Sequence, residues 1–242
     1  MNPPDPDLDP RDLARRSTLI GLGSFALAGC GPREGSEAPT APTATRPVPA
    51  PAGADAGSVP ERVVTMLGDS ITAGYGLAAA DALPAQLEAR LKAMGVRVRV
   101  RAAGVSGDTS AGGLARVDFS VEDDTDLCIV ALGGNDMLQG VDPATVRANL
   151  QAIIDRLKAR HIPVLLAGMR APPQYGAYAA EFDAVFTELA REDDIVAYPF
   201  LLHGVALDRR LNQADGIHPN PAGVKIIAAG LAPVVARALA RP

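Results

Sequence analysis

Arg62-Val63-Val64-Thr65-Met66-Leu67-Gly68-Asp69-Ser70 is an apolar, β-branched run that stops abruptly on a glycine and two small polar residues. It reads as a buried strand running into a tight turn. Outward from it the pattern alternates. Leu83–Ala93 has helical spacing through Leu83, Leu87, Leu91 and Met94, with Gly95 as its stop. Val96–Val100 alternates with arginines, as an edge strand does, whereas Leu127–Leu132 is apolar throughout and suits a central strand. Val141–Arg160 is amphipathic, with Val146, Leu150, Ile153, Ile154 and Leu157 on one face. Pro163–Ala167 is a further strand, Tyr178–Arg191 a further helix and Ile195–Tyr198 a last short strand. A final helix begins at Asn220-Pro221, where Asn caps and Pro suits the first turn, and runs to about Leu239. This alternation predicts an α/β domain whose parallel sheet is covered on both faces and binds ligands at the carboxyl ends of its strands.

The domain spans residues 61–242 of a 242-residue chain that is 48% hydrophobic and 21% charged, enough to bury a core without staples. Net charge is −5 and no basic run tracks phosphates, which argues against nucleic acid as a partner. With 4% aromatic residues and no Trp, stacking platforms for sugars or bases are scarce. Residues 1–30 read as an export signal: Arg15-Arg16, then the apolar stretch Leu19–Ala28, about half of what a spanning helix needs, then Leu27-Ala28-Gly29-Cys30. That ending resembles the bacterial lipobox, which implies a lipidated Cys30 holding the protein to a bacterial membrane on its periplasmic side. Arg15-Arg16-Ser17-Thr18-Leu19 also partly fits a twin-arginine export pattern. Residues 31–60, rich in Pro, Ala and Thr, lack apolar periodicity and read as a disordered tether.

Four separated segments carry chemistry. Ser70 would project from the carboxyl end of the first strand, although Gly-Asp-Ser alone is an ordinary turn. In Asp215-Gly216-Ile217-His218-Pro219, an Asp three residues before a His can bond the imidazole Nδ1–H and leave Nε2 to take a serine proton. Of the three histidines, His161 ends a helix and suits a surface or helix-terminus role, His203 stays unassigned, and His218 has its carboxylate built in. An oxyanion needs donors, and two further strand ends offer them. Ala103-Gly104-Val105-Ser106-Gly107-Asp108-Thr109 offers the backbone N–H of Gly104, and Gly133-Gly134-Asn135-Asp136 offers the Asn135 amide. Each could equally be a plain turn. Cys128, inside an apolar strand, reads as a core thiol.

Taken together and in this order, these segments resemble the SGNH (GDSL-type) hydrolases, in the bacterial thioesterase, lysophospholipase and arylesterase branch. The likeness lies in Val105-Ser106-Gly107-Asp108-Thr109-Ser110, Leu132-Gly133-Gly134-Asn135-Asp136 and Asp215-Gly216-Ile217-His218-Pro219-Asn220. It implies a flavodoxin-like three-layer sandwich with a five-stranded parallel sheet. It further implies Ser70 as nucleophile, His218 as base and Asp215 as its orienter, with Ser70, Gly104 and Asn135 forming the oxyanion hole. Met169–Gly176 resembles the branch's acyl-pocket loop, which implies Pro172 and Tyr175 at the substrate; as residues alone the segment reads equally as a Pro-rich crossover that turns the chain. No cofactor or metal is implied. The expected substrates are small acyl or aryl esters, lysophospholipids or thioesters. Polysaccharide or cell-wall O-acetyl esterase and non-catalytic binding lipoprotein are the alternatives. The Gly-x-Ser-x-Gly elbow of the larger α/β-hydrolases is absent from this sequence.

Overall fold

The opening run forms β1 (Arg62–Gly68), buried at every position after Arg62. The computed structural model describes residues 60–241; the export signal, Cys30 and all but the end of the tether lie outside the described residues. β1 is flanked by β2 (Val98–Gly104) and β3 (Leu127–Ala131), followed by β4 (Val164–Ala167) and β5 (Val196–Tyr198). All pairings are parallel, in the order β2-β1-β3-β4-β5. The chain thus builds outward from β1 to one edge and then returns to extend the other. Loops leaving β1 and β3 diverge at this reversal and open a crevice above the strand ends.

Helices α2 (Leu83–Ala93) and α7 (Pro221–Leu239) pack together on one face; α3 (Ser110–Ser120), α5 (Pro143–Ala159) and α6 (Ala177–Glu192) cover the other. Two short helices, α1 (Ser70–Ala73) and α4 (Gly134–Gln139), sit directly on the ends of β1 and β3. Ile129 and Val130 of β3 and Leu165 and Leu166 of β4 are fully buried, as strands covered on both faces must be. α7 is long and apolar enough to span a bilayer, but Val224, Ile227, Leu231 and Val235 form a buried stripe at helical spacing and pack into this core.

β2 and α3 differ most from the expectation. β2 runs on through Ala102, Ala103 and Gly104, poor strand formers held there by register with Met66, Leu67 and Gly68. α3 was unexpected because Gly112 and Gly113 interrupt any helical pattern; Gly113 makes room for Leu132, whose Cδ1 would lie 2.2 Å from an added Cβ. His161, as expected, terminates α5. It adopts the left-handed conformation (φ 57°), with its N–H on Lys158 O and that of Ile162 on Leu157 O, each at 2.9 Å.

Ile129→Ala, at the centre of the sheet, should lower unfolding free energy by about 2–5 kcal/mol in urea denaturation.

Candidate active site

Asp69 and Gly74 shape the turn after β1. The Asp69 Oδ1 accepts the N–H of Ile71 at 3.0 Å, starting α1, and Gly74 ends it by donating its N–H back to Ser70 O. A single helical turn thus holds Ser70 at the strand end. Its Oγ lies 2.9 Å from His218 Nε2, and His218 Nδ1 lies 2.7 Å from Asp215 Oδ2. The other Asp215 oxygen accepts the N–H groups of Ile217 and His218 at 2.9 and 3.0 Å. These bonds, the one from the His218 ring foremost, hold the Asp215 carboxyl down to about 2. An ionised carboxylate can only accept, so the ring proton sits on Nδ1 and Nε2 turns a lone pair to the serine hydroxyl.

The histidine loop is braced independently of that chain. Asn212 and Pro219 form an antiparallel bridge, and Gln213 N–H donates to His218 O at 2.8 Å. The Gln213 amide donates to Tyr75 O at 2.8 Å, tying the loop to the segment after α1. The Tyr75 ring stands 4.6 Å from the imidazole centroid. Asn220 caps α7 by accepting from Ala222 and Gly223, and donates to Arg210 O and Asn212 O. One residue therefore starts the helix and closes the loop.

The segment after β2 lies over the start of α4. Asn135 Nδ2 donates to Asp108 O at 2.8 Å. The buried Asp136 carboxylate accepts from Ser110 N and Ser110 Oγ at 2.7 and 2.6 Å, at the amino end of α3 where a negative charge is favoured. Asn135 is thus held with its amide at the segment 105–109.

Gly104 has a different role from the one expected. Val105 N–H donates to Gly68 O, so in the parallel ladder the neighbouring Gly104 N–H faces away from β1 and from Ser70. Gly104 is needed for packing instead: an added Cβ would lie 2.3 Å from Ala73 N and 2.8 Å from Asp69 O, inside α1 and its cap. The backbone donor available near Asn135 is Gly107. It occupies the positive-φ corner (87°) of the turn closed by Asp108 N–H on Val105 O, a bond that leaves its own N–H uncommitted. The signal for it was the Ser106-Gly107-Asp108 turn; for Asp136 it was an acid next to Asn135. Nothing in the sequence marks Gln213 or Tyr75.

Pro172 and Tyr175 lie beyond β4, whose carboxyl end reaches the site through Met169: its methyl would be 3.2 Å from a Cβ on Gly134. The contacts of their loop run to α6. Ala171 N–H donates to Asp183, and the Tyr175 ring packs edge-on against Tyr178. His203 lines a separate hollow of about 330 Å³ with Arg170, Tyr198, Pro199 and Phe200. Burial pushes the Cys128 thiol up to about 12, which leaves it unreactive in the core.

The profile of the GDSL-like Lipase/Acylhydrolase family matches residues 66–226. The chain is similar to Esterase TesA of Pseudomonas aeruginosa, 40% identical over 65% of this chain and 80% of that one. It is similar also to "Thioesterase 1/protease 1/lysophospholipase L1" of Escherichia coli K12, at 38% over 64% of this chain and 74% of that one. Among solved structures, AlinE4, an SGNH-hydrolase family esterase, superposes with a TM-score of 0.63 and 44% identity over 77% of this chain and all of that one.

Burial pushes the Asp69 carboxyl from its ordinary 3.8 to about 6. The folded state therefore binds this proton more tightly than the unfolded one, and stability falls as pH rises from about 4 to above 6. Asp69→Asn keeps an acceptor for Ile71 and removes that loss. Its stability relative to wild type should rise across this window by up to about 3 kcal/mol and stay level below pH ~4, read by urea denaturation at each pH.

Proposed function

The chain belongs to the GDSL-like lipase/acylhydrolase family, and on that premise we propose that Ser70, His218 and Asp215 are its catalytic triad. The protein is a serine ester hydrolase. One observation carries the assignment of residues: the unbroken hydrogen-bond chain from Ser70 Oγ through both imidazole nitrogens to an ionised Asp215.

In the reaction this implies, Ser70 Oγ attacks the ester carbonyl while its proton passes to His218 Nε2, and Asp215 stabilises the imidazolium. The oxyanion is met by Ser70 N–H and Asn135 Nδ2, with Gly107 N–H taking the place first given to Gly104. His218 then protonates the leaving alcohol, and water, deprotonated by the same nitrogen, releases the acid from the acyl-enzyme. The substrates are small acyl or aryl esters and lysophospholipids. The name of the Escherichia coli relative supports the lysophospholipid part, and the position of Pro172 and Tyr175 beyond β4, at the same carboxyl end of the sheet as Ser70, supports their lining the acyl site. Lipidation of Cys30 would hold the enzyme to a bacterial membrane facing the periplasm; the order of Arg15-Arg16, apolar stretch and Leu27-Ala28-Gly29-Cys30 supports this.

Nitrophenyl esters from acetyl to palmitoyl, and lysophosphatidylcholine, test the reading. Ser70→Ala should abolish turnover, Asn135→Ala should lower kcat roughly 10²–10³-fold, and the chain-length optimum sizes the acyl site. Equal rates for wild type and Ser70→Ala would refute the nucleophile. For the anchor, metabolic labelling with an alkyne fatty acid in the native host should tag wild type and not Cys30→Ala.

A further inference from the structure

Arg116 points inward from α3 with its side chain 17% exposed, and its ion-pair partner Asp108 is 16% exposed. The guanidinium Nε donates to Asp108 Oδ2 at 2.6 Å, Nη2 to Gly68 O at 2.8 Å, and Nη1 to Ala103 O at 2.9 Å and Ser120 Oγ at 3.1 Å. Three of these acceptors belong to segments that carry the site. Gly68 leads into Asp69-Ser70. Ala103 pairs with Leu67 in the next-to-last rung of the β1–β2 ladder, just past which the 105–108 turn departs. Asp108 closes that turn beside Gly107, and its carbonyl holds the Asn135 amide.

We propose that Arg116 is a positioning residue that sets the mutual placement of the oxyanion donors: Ser70 N–H, Gly107 N–H and Asn135 Nδ2. This rests on the triad and oxyanion reading above. The donors come from three separate strand ends, and nothing in a parallel sheet by itself fixes three loops relative to one another. A planar fork does, because its donors diverge at set angles and hold the ends of β1 and β2 and the 105–108 turn together, with Asp108 O passing the constraint on to Asn135. Stability alone accounts poorly for the arrangement, since a largely buried ion pair seldom outperforms apolar packing of the same volume. The helix surface is also shaped for it. Gly112 lies one turn before Arg116, and an added Cβ there would sit 2.6 Å from Asp108 Oδ1, in the space the carboxylate needs to reach the guanidinium. Arg116 touches no reacting atom; it acts through the donors.

The test uses the full chain with Arg116→Lys, made both in wild type and in an Asn135→Ala background. Lysine keeps the charge but, as a point donor, cannot span Asp108 and both carbonyls. Competent sites are counted by end-point titration with a fluorophosphonate, so that misfolded protein is excluded from every rate. Per competent site, Arg116→Lys should lower kcat by about 10-fold or more with KM within about 2-fold, the signature of displaced transition-state donors. The affinity of an alkylboronic acid, a tetrahedral adduct former, should fall by the same factor. In an Asn135→Ala background the Arg116→Lys loss should shrink to less than half its logarithm, because one donor it places is gone. Unchanged kcat and boronate affinity per competent site, with only a lower melting temperature, would overturn the proposal. So would an undiminished loss in the Asn135→Ala background. Failure of the underlying reading looks different: Asn135→Ala itself would then turn over at the wild-type rate.

Discussion

The hydrogen bond between Ser70 Oγ and His218 Nε2 joins residues 148 apart in sequence and is the constraint around which the molecule is arranged. A serine hydroxyl and an imidazole separated by that much chain meet at 2.9 Å only if both are held by something other than each other. Ser70 is held by the one-turn α1 on the end of β1. His218 is held by a loop closed on itself through the Asn212–Pro219 bridge and tied by Gln213 to Tyr75 O, on the serine's own segment. The loop is therefore registered against the serine side of the crevice as well as against α7.

Carboxylates do most of the bracing around the crevice, and they do it by accepting N–H groups. Asp69 caps α1, Asp136 holds the amino end of α3, and Asp215 takes two backbone N–H groups besides the imidazole. Burial decides how each behaves. Asp69, enclosed in the crevice, is pushed up to about 6, whereas Asp215, open to solvent and richly bonded, is held near 2 and stays a permanent anion beside the histidine. Neighbouring acids in one site thus serve opposite ends: one a structural cap that tolerates a proton, the other a fixed charge.

Much of the fold was legible because its signals are local. Leu83–Ala93 is a helix with the bounds its leucine spacing predicts, and Asn220-Pro221 starts α7 as a cap and first-turn pair should. The apolar Leu127–Ala131 run lies at the centre of the sheet and the arginine-studded strand at its edge. What escaped were elements whose residues contradict their conformation. α3 contains Gly112 and Gly113 because Asp108 and Leu132 occupy the space where side chains would stand, and β2 continues through alanines because β1 supplies the bonds.

Strand and helix alternation, the strand-end position of Ser70 and the pairing of Asp215 with His218 follow from local order along the chain, since three residues across a turn bring a carboxylate to an imidazole by local geometry alone. Tertiary structure decided which backbone N–H can face the crevice. Gly104 and Gly107 are equally plausible donors as letters in one loop, but hydrogen-bond alternation along β2 turns the first away and the turn after it leaves the second free. The same holds for Arg116, which reads as one more polar residue on a helix until the ends of β1 and β2 are brought under it. Local spacing reports what neighbours along the chain can do. The parity of a ladder and the convergence of three strand ends depend on pairings between distant segments, and these exist only once the sheet has formed.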